Sequence, residues 1–217
     1  KLSGFSDLSY EESGGTIISN LDQKIWGEAD LIFCVQTPSE DNLNKLKKGA
    51  VLLGLLNPYG NEELLRIINN NKISALSLEL LPRISRAQSS DVLSSQANIA
   101  GYKAVLLAAS ELDRYFPMLM TAAGTVQPAK VVVLGGGVAG LQAVATAKRL
   151  GAIVFVSDIR PAVKEQVESL GARFIELPEV DEKPGEAGGY AKAVTPEFLS
   201  KQKATLTKYL SEADVAI

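Results

Sequence analysis

Histidine is absent from all 217 residues. That excludes Ser-His-Asp triads, Cys-His pairs, His-ligated zinc and every imidazole general base. Cysteine occurs once, at Cys34, so neither an internal disulfide nor a cysteine-based metal cluster is available, and no metal is expected. Cys34 falls in an apolar run and reads as a small buried hydrophobe. No apolar run reaches the roughly 18 residues needed to span a bilayer, and Lys1-Leu2-Ser3-Gly4 leads into no signal-like segment. A basic excess is also missing. Lys and Arg number 22 against 25 Asp and Glu, a net charge of −3, so nothing favours phosphate neutralisation and nucleic acid is not expected as a partner.

What remains is 46% apolar, enough for a sizeable core in one large or two small domains. Leu31–Val35 and Ala50–Leu55 read as buried strands, with a short helix beginning at Ser39-Glu40-Asp41 between them. A helix over Asn61–Ile68, closed by Asn69-Asn70-Asn71, leads to a third strand at Ile73–Leu78. That β-α-β-α-β order predicts a parallel sheet. Residues 82–96 are polar and rich in Ser and Gln, and a long Ala-rich helix is expected from Ala97 to Tyr115. Ala123–Pro128 has the composition of a connection. A second series follows: strand Val131–Leu134, helix Val138–Leu150, strand Ile153–Val156, a helix opened by Pro161, and a short strand at Phe174-Ile175. Residues 178–194 form a Pro/Gly/Glu-rich loop, then a helix from Pro196 to Glu212 and a strand at Asp214–Ile217. The expected class is α/β, with two Rossmann-like parallel-sheet domains and a long helix joining them. The domains are an N-terminal unit at 1–96, a connecting helix and linker at 97–127, and a nucleotide-binding unit at 128–217.

Gly135-Gly136-Gly137-Val138-Ala139-Gly140 fits G-x-G-x-x-G between an apolar strand and a helix, and Asp158 lies 18 residues beyond Gly140 at the end of the next strand. This is the context that a dinucleotide fingerprint requires. Gly135 permits the tight turn, Gly137 lets the backbone approach a pyrophosphate, and Gly140 allows close helix–sheet packing. The helix N-terminus, opened by Val138, meets the negative charge. Gly136 stands where small-residue variants are possible, and glycine there should not disturb the turn. Asp158 accepts from both ribose hydroxyls and repels a 2′-phosphate, favouring NAD over NADP, or else it caps the helix after Pro161. Arg160 could meet a phosphate, but Asp158 would still repel it, so Arg160 is expected to flank the adenine beside Ile159. In the other polar segment, Ser94 or Ser95 is a candidate helix cap.

Pro82-Arg83-Ile84-Ser85-Arg86-Ala87-Gln88-Ser89, Asn98-Ile99-Ala100-Gly101-Tyr102, the glycine fingerprint, Asp158-Ile159-Arg160-Pro161 and Gly188-Gly189-Tyr190-Ala191-Lys192 occur in collinear order. With them the chain closely resembles the NAD(H)-binding component of proton-translocating NAD(P) transhydrogenase. The run from Arg83 to Gln88 is the most specific part of the likeness and the glycine fingerprint the least.

The resemblance implies a nucleotide cleft between the two domains, with NAD(H) bound there and exchanging hydride directly with NADP(H) on a partner component. A membrane-spanning component couples the exchange to proton movement. Arg83 and Ser94 would hold the nicotinamide end, oriented by Asp91, and Gln88 would reach the partner's NADP(H) ribose. Gly189 and Tyr190 would lie on a loop closing over the nucleotide, in keeping with a Gly-hinged lid at 178–194. The resemblance also implies a homodimer, peripheral to the cytoplasmic or matrix face through its partners. Family members begin with a further β-α unit ahead of the position of Lys1 and continue past that of Ile217. Hydride passage between nicotinamides needs no general base, which suits a chain without His. Related alanine dehydrogenases resemble a scheme that uses a catalytic His. A nucleotide-binding module without turnover is the other alternative.

Overall fold

The computed structural model describes residues 4–18, 24–82, 84–177 and 196–217. The expected lid at 178–194 and the candidate residues Arg83, Gly189 and Tyr190 lie outside the described residues. The chain divides into two compact units, Lys1–Val92 and Leu93–Ile217.

In the first unit, α1 (Asp7–Glu12) and α2 (Lys24–Glu28) precede β1 (Leu31–Cys34), α3 (Glu40–Lys45), β2 (Val51–Gly54), α4 (Glu62–Asn70) and β3 (Ser74–Ser77). Ser39 and Asn61 cap α3 and α4 through side-chain oxygens that accept from Asn42 N–H and Leu64 N–H. Acidic residues fill both first turns, as the helix dipole favours. The strands pair in parallel in the order β1-β2-β3. Leu52 and Ile32 point to the face packed with Leu43, Leu46, Leu64 and Ile67. The sequence reads the β1 run as fully buried, yet Phe33 is 70% exposed. Phe33, Leu53 and Leu76 are register partners across the sheet, so one apolar row crosses the face opposite the helices. A short apolar run marks a strand but not which of its two faces is covered. After β3 come two 3₁₀ turns, Leu78–Leu80 and Ser85–Ser90.

The long helix α5 spans Val92–Glu111, five residues earlier at its start than the sequence suggests. Asp91 stands immediately before it in a non-helical conformation, and nothing in Val92–Gln96 breaks a helix. Ser94 and Ser95 therefore lie inside the first turn, and neither is the cap. The expected linker at 123–128 is replaced in part by a hairpin. Here β4 (Leu119–Thr121) pairs antiparallel with β5 (Gly124–Val126), and Thr121 Oγ1 donates to Gly124 O at 3.0 Å across the turn. Glycine at position 124, with φ +133°, supplies the backbone geometry there.

The second sheet holds β6 (Lys130–Leu134), β7 (Ile153–Ser157), β8 (Arg173–Phe174) and β9 (Val215–Ala216), connected by α6 (Val138–Arg149), α7 (Val163–Ser169) and α8 (Pro196–Ser211). All pairings are parallel, and the spatial order is β8-β7-β6-β9. Numbered within this sheet the order is 3-2-1-4, that of a mononucleotide-binding half with its topological switch between β6 and β9. Val131, Val132 and Val133 are all buried, as expected where helices cover both faces. Val105 brings α5 into the same core as Val144, Val154 and Val167.

Gly101 explains how α5 reaches α6. A Cβ built there would lie 2.0 Å from Ala139 O, in the first turn of α6. On helix propensity alone, Gly101→Ala should stabilise by up to about 1 kcal/mol. The backbone clash reverses the sign. We expect a net loss of about 2 kcal/mol and a drop in melting temperature of about 4–8 °C. A thermal melt checks this, and a rise in Tm would show that the helices do not touch.

Candidate functional site

The second unit assembles its candidate residues at the carboxyl end of β6 and β7. Gly135 N–H donates to Ser157 O at 2.7 Å, so the glycine turn is pinned to the end of β7. Gly135 has φ +103°, a conformation that an L side chain resists. A Cβ at Gly140 would lie 1.8 Å from Gly135 O but 3.4 Å from the nearest Val133 atom. The tight approach is thus first to the turn's own backbone, and only second to the strand. At Gly136 a Cβ would come within 2.2 Å of Val163 Cγ1, so a larger residue there requires that side chain to shift.

Gly137 takes the N-cap position of α6 in extended conformation, with no side-chain hydrogen bond to the helix end. A Cβ at Gly137 would meet nothing within 4 Å. The first-turn N–H groups of a 12-residue helix are therefore left without a side-chain cap, beside open space and at the positive end of the dipole. Val138, the first helical residue, is 44% exposed at this edge. These features fit a dinucleotide's pyrophosphate.

Asp158 follows β7, and its side chain is only 5% exposed. Its Oδ2 accepts from Gly136 N–H at 2.7 Å and from Arg160 Nη2 at 2.9 Å. Its Oδ1 accepts from Arg160 N–H at 2.8 Å and from Arg160 Nε at 3.0 Å. Asp158 therefore does not cap α7, whose N-cap position is Ala162. Arg160 turns back onto the carboxylate, and Ile159 between them is exposed. The Arg160 hydrogen bonds hold the carboxyl well down, to about 2, against the opposing effect of burial.

A depressed folded-state pKa stabilises above the ordinary carboxylate range and loses that contribution as pH falls from about 4 through about 2. Because Arg160 is half-exposed, the contribution should be on the order of 1 kcal/mol. The stability advantage of the parent over Asp158→Asn should shrink between pH 5 and pH 2 in denaturant titrations. A constant difference across that range would mean that the ion pair contributes nothing.

In the first unit, Gln88 is exposed on the 3₁₀ turn Ser85–Ser90 and Asp91 is half-buried directly after it. Ser94 is half-buried in the first turn of α5. Sequence reading missed Glu79, which stands where β3 runs into this segment. Its Oε2 accepts from Leu56 N–H at 3.2 Å and from Ser77 Oγ at 2.6 Å, and Oε1 accepts from Asn57 N–H. These hydrogen bonds outweigh the burial that opposes them and lower the Glu79 pKa. Glu79 thus staples the chain after β2 to the start of the Gln88 segment. An acid between apolar residues in Leu78-Glu79-Leu80 was the only available signal. Burial, with Glu79 nearby, pushes the Cys34 thiol up, away from thiolate reactivity. Among the described residues, no three His, Cys, Asp or Glu side chains converge as a metal site. No helix among them is long and apolar enough to cross a membrane.

Strand order, glycine turn and acid-terminated second strand together define a Rossmann-type α/β protein. The chain belongs to the alanine dehydrogenase/PNT family: residues 1–100 match its N-terminal domain and residues 104–217 its C-terminal domain. It is 49% identical to an NAD(P) transhydrogenase alpha-subunit protein of Rhodospirillum rubrum, over 98% of this chain and 56% of that protein. The transhydrogenase structure from Sinorhizobium meliloti superposes with a TM-score of 0.84 at 44% identity, covering 99% of this chain and 56% of that one. An L-alanine dehydrogenase structure gives a TM-score of 0.65 at 26% identity, covering 79% of this chain and 48% of that one. The chain thus spans little more than half the length of these transhydrogenase relatives.

Proposed function

We propose that this chain binds NAD(H) within a proton-translocating NAD(P) transhydrogenase. In this reading it exchanges hydride with NADP(H) held by a second component, while a membrane component couples the exchange to proton movement. The observation that carries the reading is the Asp158 carboxylate bonded to Gly136 N–H of the glycine turn, which sets a ribose acceptor beside an uncapped helix N-terminus. The likeness to a transhydrogenase alpha subunit over 98% of the chain supports the particular reaction.

NAD(H), when bound, supplies the hydride donor or acceptor. The protein's contribution is placement. Gly135, Gly137 and Val138 receive the pyrophosphate, and Asp158 holds the adenosine ribose. Arg83, Asp91 and Ser94 fix the nicotinamide end, with Gly189 and Tyr190 covering it, and Gln88 faces the partner's nucleotide. The domain arrangement at 1–96, 97–127 and 128–217, the homodimer and the peripheral placement belong to the same proposal. No residue needs to take a proton, so the absence of histidine carries no cost.

The test is stopped-flow hydride exchange between nicotinamide analogues by the protein carrying this sequence, mixed with an NADP-binding component. Exchange is expected only when both are present. NADH binding without exchange would reduce the reading to a nucleotide-binding module.

A further inference from the structure

The Asp158 carboxylate is saturated. Two oxygens offer about four lone-pair sites, and four donors occupy them: Gly136 N–H and Arg160 N–H from the backbone, and Nε and Nη2 of the Arg160 side chain. The distribution is even. Each oxygen holds one backbone donor and one guanidinium donor. The backbone donors are fixed by the turn and by the strand end. The Arg160 side chain, by contrast, is 54% exposed.

A ribose 2′,3′-diol needs one acceptor position for each hydroxyl. With the backbone donors in place, the positions left, one on each oxygen, are those the guanidinium fork holds. We infer that Arg160 is an internal competitor for the ribose seat: the fork stands in for the diol while the site is empty and must be displaced when a ribonucleotide binds. The inference rests on the nucleotide reading above and reverses the role that the sequence suggests for this residue. Arg160 works against ribose binding instead of contributing to it.

The arrangement has a physical purpose. An ionised carboxylate with a 5% exposed side chain is costly if left half-paired, and the guanidinium keeps it paired until a ligand arrives. It also lowers the site's preference for a vicinal diol, because a ligand without one leaves the ion pair in place. Lysine would serve poorly, since a point charge cannot fill two acceptor positions at once.

The experiment compares AMP with 2′,3′-dideoxy-AMP by calorimetry on the parent, Arg160→Ala and Arg160→Lys. Both ligands carry the same phosphate, so loss of the Arg160 charge cancels in the ratio of their affinities. The preference for the diol should rise about three- to fivefold in Arg160→Ala, as for loss of a half-exposed ion pair. It should rise by less in Arg160→Lys. An unchanged or reduced preference in Arg160→Ala would overturn the inference and make Arg160 a partner of the nucleotide. NADH titration of the parent separates the two failures: a parent that binds neither NADH nor AMP refutes the nucleotide reading itself, and the inference with it.

Discussion

Asp158→Ala is expected to raise the dissociation constant for NADH by about 30- to 150-fold. Two charge-assisted hydrogen bonds to the ribose are lost, each worth about 1.5–3 kcal/mol, partly offset because Arg160 no longer has to be displaced. The low end of the net, about 2–3 kcal/mol, corresponds to that range. NADPH should be affected less, since the repulsion of its 2′-phosphate disappears as well. The same substitution leaves Gly136 N–H without its acceptor, and stability should fall by about 1–3 kcal/mol. Asp158→Asn separates the two effects, because an amide oxygen still accepts from Gly136 while its neutral group binds the ribose weakly. It should restore most of the melting temperature and little of the affinity. Fluorescence titration of both nucleotides, with a thermal melt of each variant, checks the pair. Unchanged NADH affinity with a lowered Tm would make Asp158 a staple of the glycine turn and nothing more.

Gln88→Asn is expected to slow hydride exchange by on the order of 100-fold, the cost of misplacing reacting groups by about 1 Å. The variant keeps the amide and shortens its reach by one methylene. Gln88 is exposed on a 3₁₀ turn, so the fold should tolerate the change. NADH affinity should stay nearly constant, because the proposed contact would exist only in the assembled enzyme. Arg83→Ala should instead weaken NADH binding and slow exchange together. Stopped-flow exchange with the NADP-binding component, alongside calorimetry of NADH binding, distinguishes the two patterns. Exchange by Gln88→Asn at the parent rate would end the bridging role.

The alternation of short apolar runs with amphipathic helices is sufficient to identify parallel α/β layers. Apolar Val131–Leu134, the glycines from 135 to 140 and Asp158 at their spacing suffice for the fingerprint, since both signals are local and periodic. The missing histidines likewise narrow the chemistry on composition alone. Boundaries are another matter. The start of α5 depends on Asp91 taking the pre-helical position from Ser94 and Ser95, a competition among good capping residues that composition does not resolve.

Contacts between distant segments are beyond the sequence entirely. Gly101 looks like a flaw in a long helix until Ala139 O is found where its Cβ would be, 38 residues along the chain. Gly136 looks replaceable until Val163 is placed against it. Asp158 announces itself by its position, but its engagement with Gly136 N–H and with the Arg160 fork is set by how the end of β7 meets the turn after β6. A sequence pattern records which groups are offered. Which donor reaches which acceptor is fixed only when packing brings strands and turns to hydrogen-bonding distance, because that energy vanishes within an ångström or so of misplacement.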